Sequence, residues 1–302
     1  MTIITIVPEG SFSLRAAAGF GFGPNTGRPV YDASHMRLVF VTDDLQNQAA
    51  VNLSQDPDGV VTGEVTSDAD DQVVEDQVRR ILSLDHSGVE WARVGEKDEV
   101  VRQLQDTHEG LRPVLFHSPY EAAAWSIVSA RRQRAQAIAI RTRLAAAHGR
   151  RFVLNDEETF AFPTPQALLA VVEVQGLDKV RVDRLHAVAR AALEGELEPA
   201  LLLAMSPDDA LEHLQKLPGI GPTYSTLILL RSTGATDIMT GLEPRIASYL
   251  AYFYGLDEQV ASPEQIERIS ASWRPFRTWT SVLCRVAGDA LELPYPGPTR
   301  GH

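Results

Sequence analysis

The stretch of this 302-residue chain with most evident chemistry is Leu217-Pro218-Gly219-Ile220-Gly221, set between two helical segments, Asp208–Lys216 and Pro222–Ser232. Two glycines one residue apart let the backbone turn tightly and approach a ligand with no Cβ in the way. The amides of such a turn point outward at the start of the second helix, where the helix dipole favours an anion. This helix-hairpin-helix pattern suits a nucleic-acid phosphate gripped by N–H groups rather than lysines, and it reads no sequence. A plain turn between helices, with glycine ending the first, carries the same Gly-x-Gly. The densest basic run is Arg131, Arg132, Arg134, Arg141 and Arg143. On one long helix opening at Ser118 and ending near His148-Gly149, Arg131, Arg134 and Arg141 share a stripe; the readings are phosphate contact or a solvated face with intrahelical pairs. The eight histidines form no His-x-x-His, His-x-His or Cys/His group, and no Walker loop or dinucleotide fingerprint is present.

Positioning such groups takes a folded core, and the composition supplies one. Hydrophobic residues make up 44% and charged residues 23%, an ordinary globular mix that excludes collagen-like and disordered chains. No run approaches the ~18–20 apolar residues of a membrane span. The start, MTIITIVPEG, has no basic region and too short an apolar run for a signal peptide. The single cysteine, Cys284, excludes a disulfide framework, a zinc ribbon and a four-cysteine iron–sulfur site, and fits a reducing cytoplasm. A net charge of −12 argues against coating nucleic acid by charge alone. The acidity is uneven, however: residues 1–105 carry 8 Lys/Arg against 17 Asp/Glu, whereas 106–302 carry 20 against 23.

The elements divide the chain at the same place. Arg37–Val41, Gln48–Leu53 and Gly59–Val65 read as short strands among turns, and Asp71 to about Leu84 has helical spacing of Val73, Val74, Val78, Ile81 and Leu82. These make residues 1–105 a small α+β module. Beyond it the texture is helical throughout. Ser118-Pro119, Thr164-Pro165, Ser206-Pro207 and Ser262-Pro263 each place a hydroxyl at an N-cap and proline at the first helical position. Residues 106–302 thus read as a bundle of eight or more helices.

In this order, the segments resemble the helix-hairpin-helix (HhH-GPD) DNA glycosylase superfamily from about Arg112 to Gly288, and most its 3-methyladenine DNA glycosylase II (AlkA-type) branch. The matching stretches are Gly110-Leu111-Arg112, Ser118-Pro119-Tyr120-Glu121, Ala161-Phe162-Pro163-Thr164-Pro165, Ala187-Val188-Ala189-Arg190, Glu194-Gly195, the hairpin Leu217–Gly221, and Trp273-Arg274-Pro275-Phe276-Arg277. The resemblance implies a mainly α fold, a helical bundle of two lobes flanking a cleft, with a small N-terminal α+β domain built on an antiparallel sheet. It implies a monofunctional glycosylase of base excision repair that hydrolyses the N-glycosidic bond of a flipped, alkylated base. The alternatives are a weakened or inactive lesion-binding protein on the same fold, and a protein with no DNA role and an incidental hairpin.

The family places an aspartate at the start of the helix after the hairpin pair, to stabilise oxocarbenium-like charge on the sugar and orient the attacking water. Counting along this chain puts Glu243 there, a departure, since glutamate reaches one C–C bond farther. Its other reading is a helix-start acid ahead of Pro244, and Asp237 is the second candidate carboxylate. Relatives that also cut the strand carry a lysine where this chain has Thr223, so no lyase step is implied. The hairpin residues Leu217, Gly219, Ile220, Gly221 and Thr223 correspond to the DNA-gripping turn. Arg131 falls near the residue that fills the gap left by the flipped base, with Arg132 and Arg134 beside it. The base pocket, aromatic in the family, maps to Tyr224, Leu227 and Arg285, with Trp125, Trp279 and Tyr249 as replacement stacking surface or as core. No cofactor is implied beyond a sodium or potassium ion on the backbone carbonyls of Gln215, Leu217 and Ile220. The implied partner is double-stranded DNA with a damaged base, bound by a monomer in the cytoplasm at the nucleoid, with no membrane.

Overall fold

The computed structural model describes residues 2–20, 35–239 and 244–295. The chain begins with strand β1 (Thr2–Ile6) and a short helix α1 (Leu14–Ala18), followed by β2 (His35–Val41), β3 (Gln48–Gln55) and β4 (Val61–Ser67). The strands form one antiparallel sheet in the order β1-β4-β3-β2. Alternation fixes its faces: Ile4, Ile6, Leu38, Phe40, Val51, Leu53, Val61 and Val65 bury on one core with Val74, Val78 and Ile81 of α2 (Asp71–Ile81). Asp70 caps α2 by accepting from the Gln72 amide. The three expected strands are present, and β1 is a fourth.

Helices α3 (Gly88–Lys97) and α4 (Glu99–Thr107) fall within the first 105 residues but pack elsewhere. Their Trp91, Val94, Val101 and Leu104 join a core with Leu250, Trp273, Phe276, Trp279 and Leu283 from the C-terminal part of the chain. Residues 1–105 therefore feed two cores.

The central helix is α5 (Pro119–Ser129), buried from Pro119 to Val128. A helix apolar on nearly every side must be wrapped by others. Around it lie α6 (Arg134–His148), α7 (Pro165–Leu169), α8 (Lys179–Leu193), α9 (Pro199–Ala204), α10 (Pro207–Gln215) and α11 (Pro222–Ser232), with the hairpin β5 (Arg151–Leu154) and β6 (Glu157–Phe160) inserted between α6 and α7. Trp125, Ile127 and Val128 of α5 share this core with Leu185, Val188, Leu214, Ile228 and other residues of the surrounding helices. The other helical core adds α12 (Pro244–Phe253), α13 (Pro263–Ser270), a 3-10 turn (Ala271–Trp273) and α14 (Arg277–Ala290). No described helix is long and apolar enough to cross a membrane.

Two expectations are corrected. The long helix from Ser118 to Gly149 is two helices: the Arg132 amide donates to the Ser129 carbonyl at 3.0 Å, and Arg131 lies at φ 55° between them. Arg131 therefore shares no helical stripe with Arg134 and Arg141. The region after residue 105 is also not helical throughout. In β5–β6, Asn155 and Asp156 take φ of 50° and 62°, the left-handed pair a two-residue hairpin turn requires. Phe152 and Leu154 of that hairpin pack with Ala50 on the back of the sheet.

One side chain pins these bodies together. Arg112 is 1% exposed and donates to the carbonyls of Ser11, Ser83, His86 and Glu9 at 2.6–3.2 Å. Its guanidinium also lies against the rings of Phe12, in the sheet core, and Trp279, in the C-terminal helical core.

Candidate nucleic-acid interface

The hairpin follows from its local sequence. Ser206 caps α10 on the Asp209 amide, and Ala210 and Leu214 seat that helix on the core. The chain leaves α10 at Lys216; Leu217 and Ile220 bury as anchors, while Pro218 and Gly219 between them stay exposed. The Ile220 amide closes the bend on the Leu217 carbonyl at 3.0 Å. Gly219 has φ +92°, a conformation that favours glycine. Gly221 then heads α11 with no side-chain cap, and its carbonyl takes the amides of Tyr224 and Ser225. Pro222 brings no N–H. This leaves the amides of Gly219, Gly221 and Thr223 without an acceptor among the described residues. A Cβ placed on Gly221 would meet nothing within 4 Å, so that face of the turn is open.

A second turn lies beside it. Ser129 to Arg132 form a β-turn in which Arg131, exposed, takes the left-handed position usually given to glycine or asparagine. For a non-glycine residue this costs roughly 1–2 kcal/mol. Arg132 spends its guanidinium on the turn itself, donating to the carbonyls of Val128 (3.2 Å) and Gly176 (2.8 Å). Burial and the neighbouring Arg181 lower its pKa. Arg134 is exposed at the first position of α6, whose N-cap Gln133 makes no side-chain cap bond.

Helix α8 ties the two turns to one surface. Arg181 donates to the Ala130 carbonyl of the α5–α6 turn at 3.0 Å. Arg184, one helical turn on and on the same face, lies across Gly219 of the hairpin, its Cδ 2.7 Å from where a Cβ would stand. Among the described helices, α6 and α11 thus both start without a side-chain cap and without an acid in the first turn, and both starts abut α8. Sequence reasoning missed Arg181 and Arg184; their i, i+3 spacing was visible, but not which turns they would meet.

Arg141 has another task. It donates at 2.8 Å to Glu121, a carboxylate 4% exposed in α5 that also accepts the Val41 amide and faces His117 at 3.4 Å. Burial alone would raise that carboxyl; His117, Arg141 and the Val41 amide outweigh it and hold it down to about 2. The pair fastens α6 to α5 on either side of the Arg131 turn.

The base-pocket candidates separate. Tyr224 and Leu227 of α11 are half-buried on the core that contains Trp125. Trp279 is 2% exposed in the C-terminal core, ringed by Trp91, Phe276 and His86 at 5.0–5.9 Å. Arg285 donates to Asp289 on its own helix at 2.8 Å, and Tyr249, buried, gives its hydroxyl to the same carboxylate at 2.7 Å. Asp237 is held by Arg274 and Arg277 at 3.0 and 2.7 Å. Glu243 lies outside the described residues. For the monovalent ion, the Leu217 carbonyl already takes the Ile220 amide, and one lone pair remains. No group of three His, Cys, Asp or Glu side chains able to hold a metal occurs among the described residues.

No family model matches the chain. A DNA-3-methyladenine glycosylase of Bacillus subtilis is 24% identical over 210 residues, 68% of this chain and 69% of that protein. Among solved structures, a 3-methyladenine DNA glycosylase from Archaeoglobus fulgidus superposes with a TM-score of 0.72 at 19% identity, covering 97% of this chain and 100% of that one. An 8-oxoguanine glycosylase/lyase of Clostridium acetobutylicum, solved on double-stranded DNA, gives a TM-score of 0.63 at 15% identity, covering 96% and 99%. The chain has the helix-hairpin-helix glycosylase fold, mainly α with a small antiparallel sheet.

Proposed function

We propose that the protein is a monofunctional DNA glycosylase of base excision repair, acting on alkylated bases in double-stranded DNA. The observation that carries the reading is the exposed α10–α11 hairpin with three unpaired amides, on a fold shared with glycosylases. The hairpin amides hold a backbone phosphate, and the dipole of α11 adds to them. Arg131 at the neighbouring turn stands in for the extruded nucleotide, and Tyr224, Leu227 and Trp125 line the receiving side. As the N-glycosidic bond breaks, positive charge develops on the sugar, and a carboxylate stabilises it and orients the attacking water. That role falls to Glu243. A hydroxyl at Thr223 forms no Schiff base, so the reaction ends at an abasic site. A sodium or potassium ion on the carbonyls of Gln215, Leu217 and Ile220 would stiffen the bend and add positive charge; hard oxygen donors suit it. Such an enzyme works as a monomer on the chromosome, in the cytoplasm.

The test is base release from methylated duplex DNA by the purified chain and by Glu243→Gln. Release of methylated purine that Glu243→Gln abolishes, with duplex binding retained, is the expected result. A second reading has its own support: glutamate replaces the family aspartate, and Trp279 is walled into the core. On that reading the chain binds lesions without cleaving them. Tight lesion binding with no release from any alkylated substrate would establish it and end the enzymatic one.

A further inference from the structure

Arg184 of α8 is laid on the exposed Gly219 of the hairpin. Its Cδ, Nε and Nη1 stand 2.7, 3.0 and 3.1 Å from the position a Cβ on Gly219 would occupy, so the side chain runs flat across the bend. Glycine is favoured there for its φ of +92°, and a Cβ would push the arginine aside. Unlike Arg132, Arg141 and Arg181, Arg184 makes no hydrogen bond or ion pair among the described residues, although it is half-buried. A guanidinium with five N–H donors thus lies unused against a turn with three unused amides.

We propose that Arg184 is the side-chain arm of the hairpin's phosphate site, donating to the same DNA phosphate that the Gly219, Gly221 and Thr223 amides hold. The proposal rests on the reading of the hairpin as a DNA-gripping turn and adds to it a charged partner from a different helix. Amides alone supply hydrogen bonds but no net charge; a planar guanidinium supplies both and matches two phosphate oxygens at once. Its placement also gives α8 a purpose. Arg181 fixes the helix to the α5–α6 turn, and Arg184 carries that register to the hairpin, so the two turns meet the duplex as one rigid unit.

The experiment measures binding of the full chain to an undamaged, fluorescently labelled duplex between about 50 and 200 mM salt, where each neutralised phosphate contributes a slope of about −0.9 in log affinity against log salt. Arg184→Gln should bind roughly tenfold more weakly at the lower salt and show a slope shallower by about 0.9. Arg184→Lys should restore the slope but only part of the affinity, because it keeps the charge and loses the fork. Arg102→Gln, an α4 arginine held by Glu99 and Asp106, controls for a general charge effect and should match the parent chain. Gly221→Ala tests the underlying reading separately: its φ of −102° accepts alanine and the added methyl meets no protein atom, but it stands where a phosphate would approach. If Arg184→Gln keeps the parent's slope while Gly221→Ala weakens binding, the arm is refuted and the hairpin stands. If Arg184→Lys is as shallow as Arg184→Gln, the contribution was shape rather than charge, and the proposal also falls. If Gly221→Ala binds like the parent, the hairpin reading itself is wrong.

Discussion

Replacing Glu121 by glutamine removes one charge from the buried centre of the molecule and leaves the shape nearly unchanged. The amide oxygen can still accept the Val41 amide, now at 3.0 Å, but Arg141 loses the carboxylate it meets at 2.8 Å. A carboxyl held at about 2 against an ordinary 4.5 contributes roughly 3 kcal/mol at neutral pH. Because the folded value is depressed, the contribution is complete above the unfolded pKa and fades as pH falls toward the folded one. Glu121→Gln should therefore cost roughly 3 kcal/mol in urea unfolding at pH 7, and the gap to the parent should shrink by roughly 2 kcal/mol at about pH 3. Adding Arg141→Met should recover part of the loss, since an unpaired buried charge is worse than an apolar substitute. A gap below about 1 kcal/mol at pH 7, or one that does not change between pH 7 and about 3, would show that the carboxylate carries no such charge.

Two further outcomes follow from named contacts. Arg112→Met strands four carbonyls, those of Ser11, Ser83, His86 and Glu9, at the junction of the sheet and the C-terminal helices; thermal unfolding should report a loss of roughly 3–5 kcal/mol. Borohydride added to the chain on abasic duplex should trap no covalent adduct, because position 223 offers a hydroxyl and not an amine; an adduct mapping to Lys216, the lysine at the hairpin's edge, would overturn the monofunctional assignment.

What could be read from the sequence was local. The Gly-x-Gly bend, the Ser/Thr-Pro helix starts and the alternating strands are each decided within a few residues, and the structure has them where the pattern put them. The break between α5 and α6 left no such mark, because alanine and arginine are good helix formers and the turn at Arg131 runs against propensity. The β5–β6 hairpin did leave one: the short apolar run Phe152-Val153-Leu154 before Asn155-Asp156, a signal outweighed by the helical texture on either side. The partners of Arg184, Arg141 and Trp279 were out of reach for another reason. Each is set by which helices pack together, and a helical face does not name its neighbour.

The net charge of −12 poses the remaining physical question, how such a chain could hold a polyanion. Several acids of its first third have local occupations: Asp70 and Asp98 cap helices, Asp43 pairs with Arg80, and Glu75 with Arg79. The screening length is about 10 Å at 0.1 M salt, so exposed charges carry little field beyond that distance. The two helix starts at the proposed interface are of an uncapped, acid-free kind that α9 and α14 share. α5, α10 and α13 each combine a serine cap with an acid in the first turn, which neutralises the dipole from within. α6 and α11 have neither, and arginines from the α5–α6 turn and from α8 stand beside them. A helix start without its own cap is completed by water or by a ligand. On the proposed reading a DNA phosphate would supply the missing acid, and affinity would depend on two uncapped helices and their flanking arginines rather than on the sign of the whole protein.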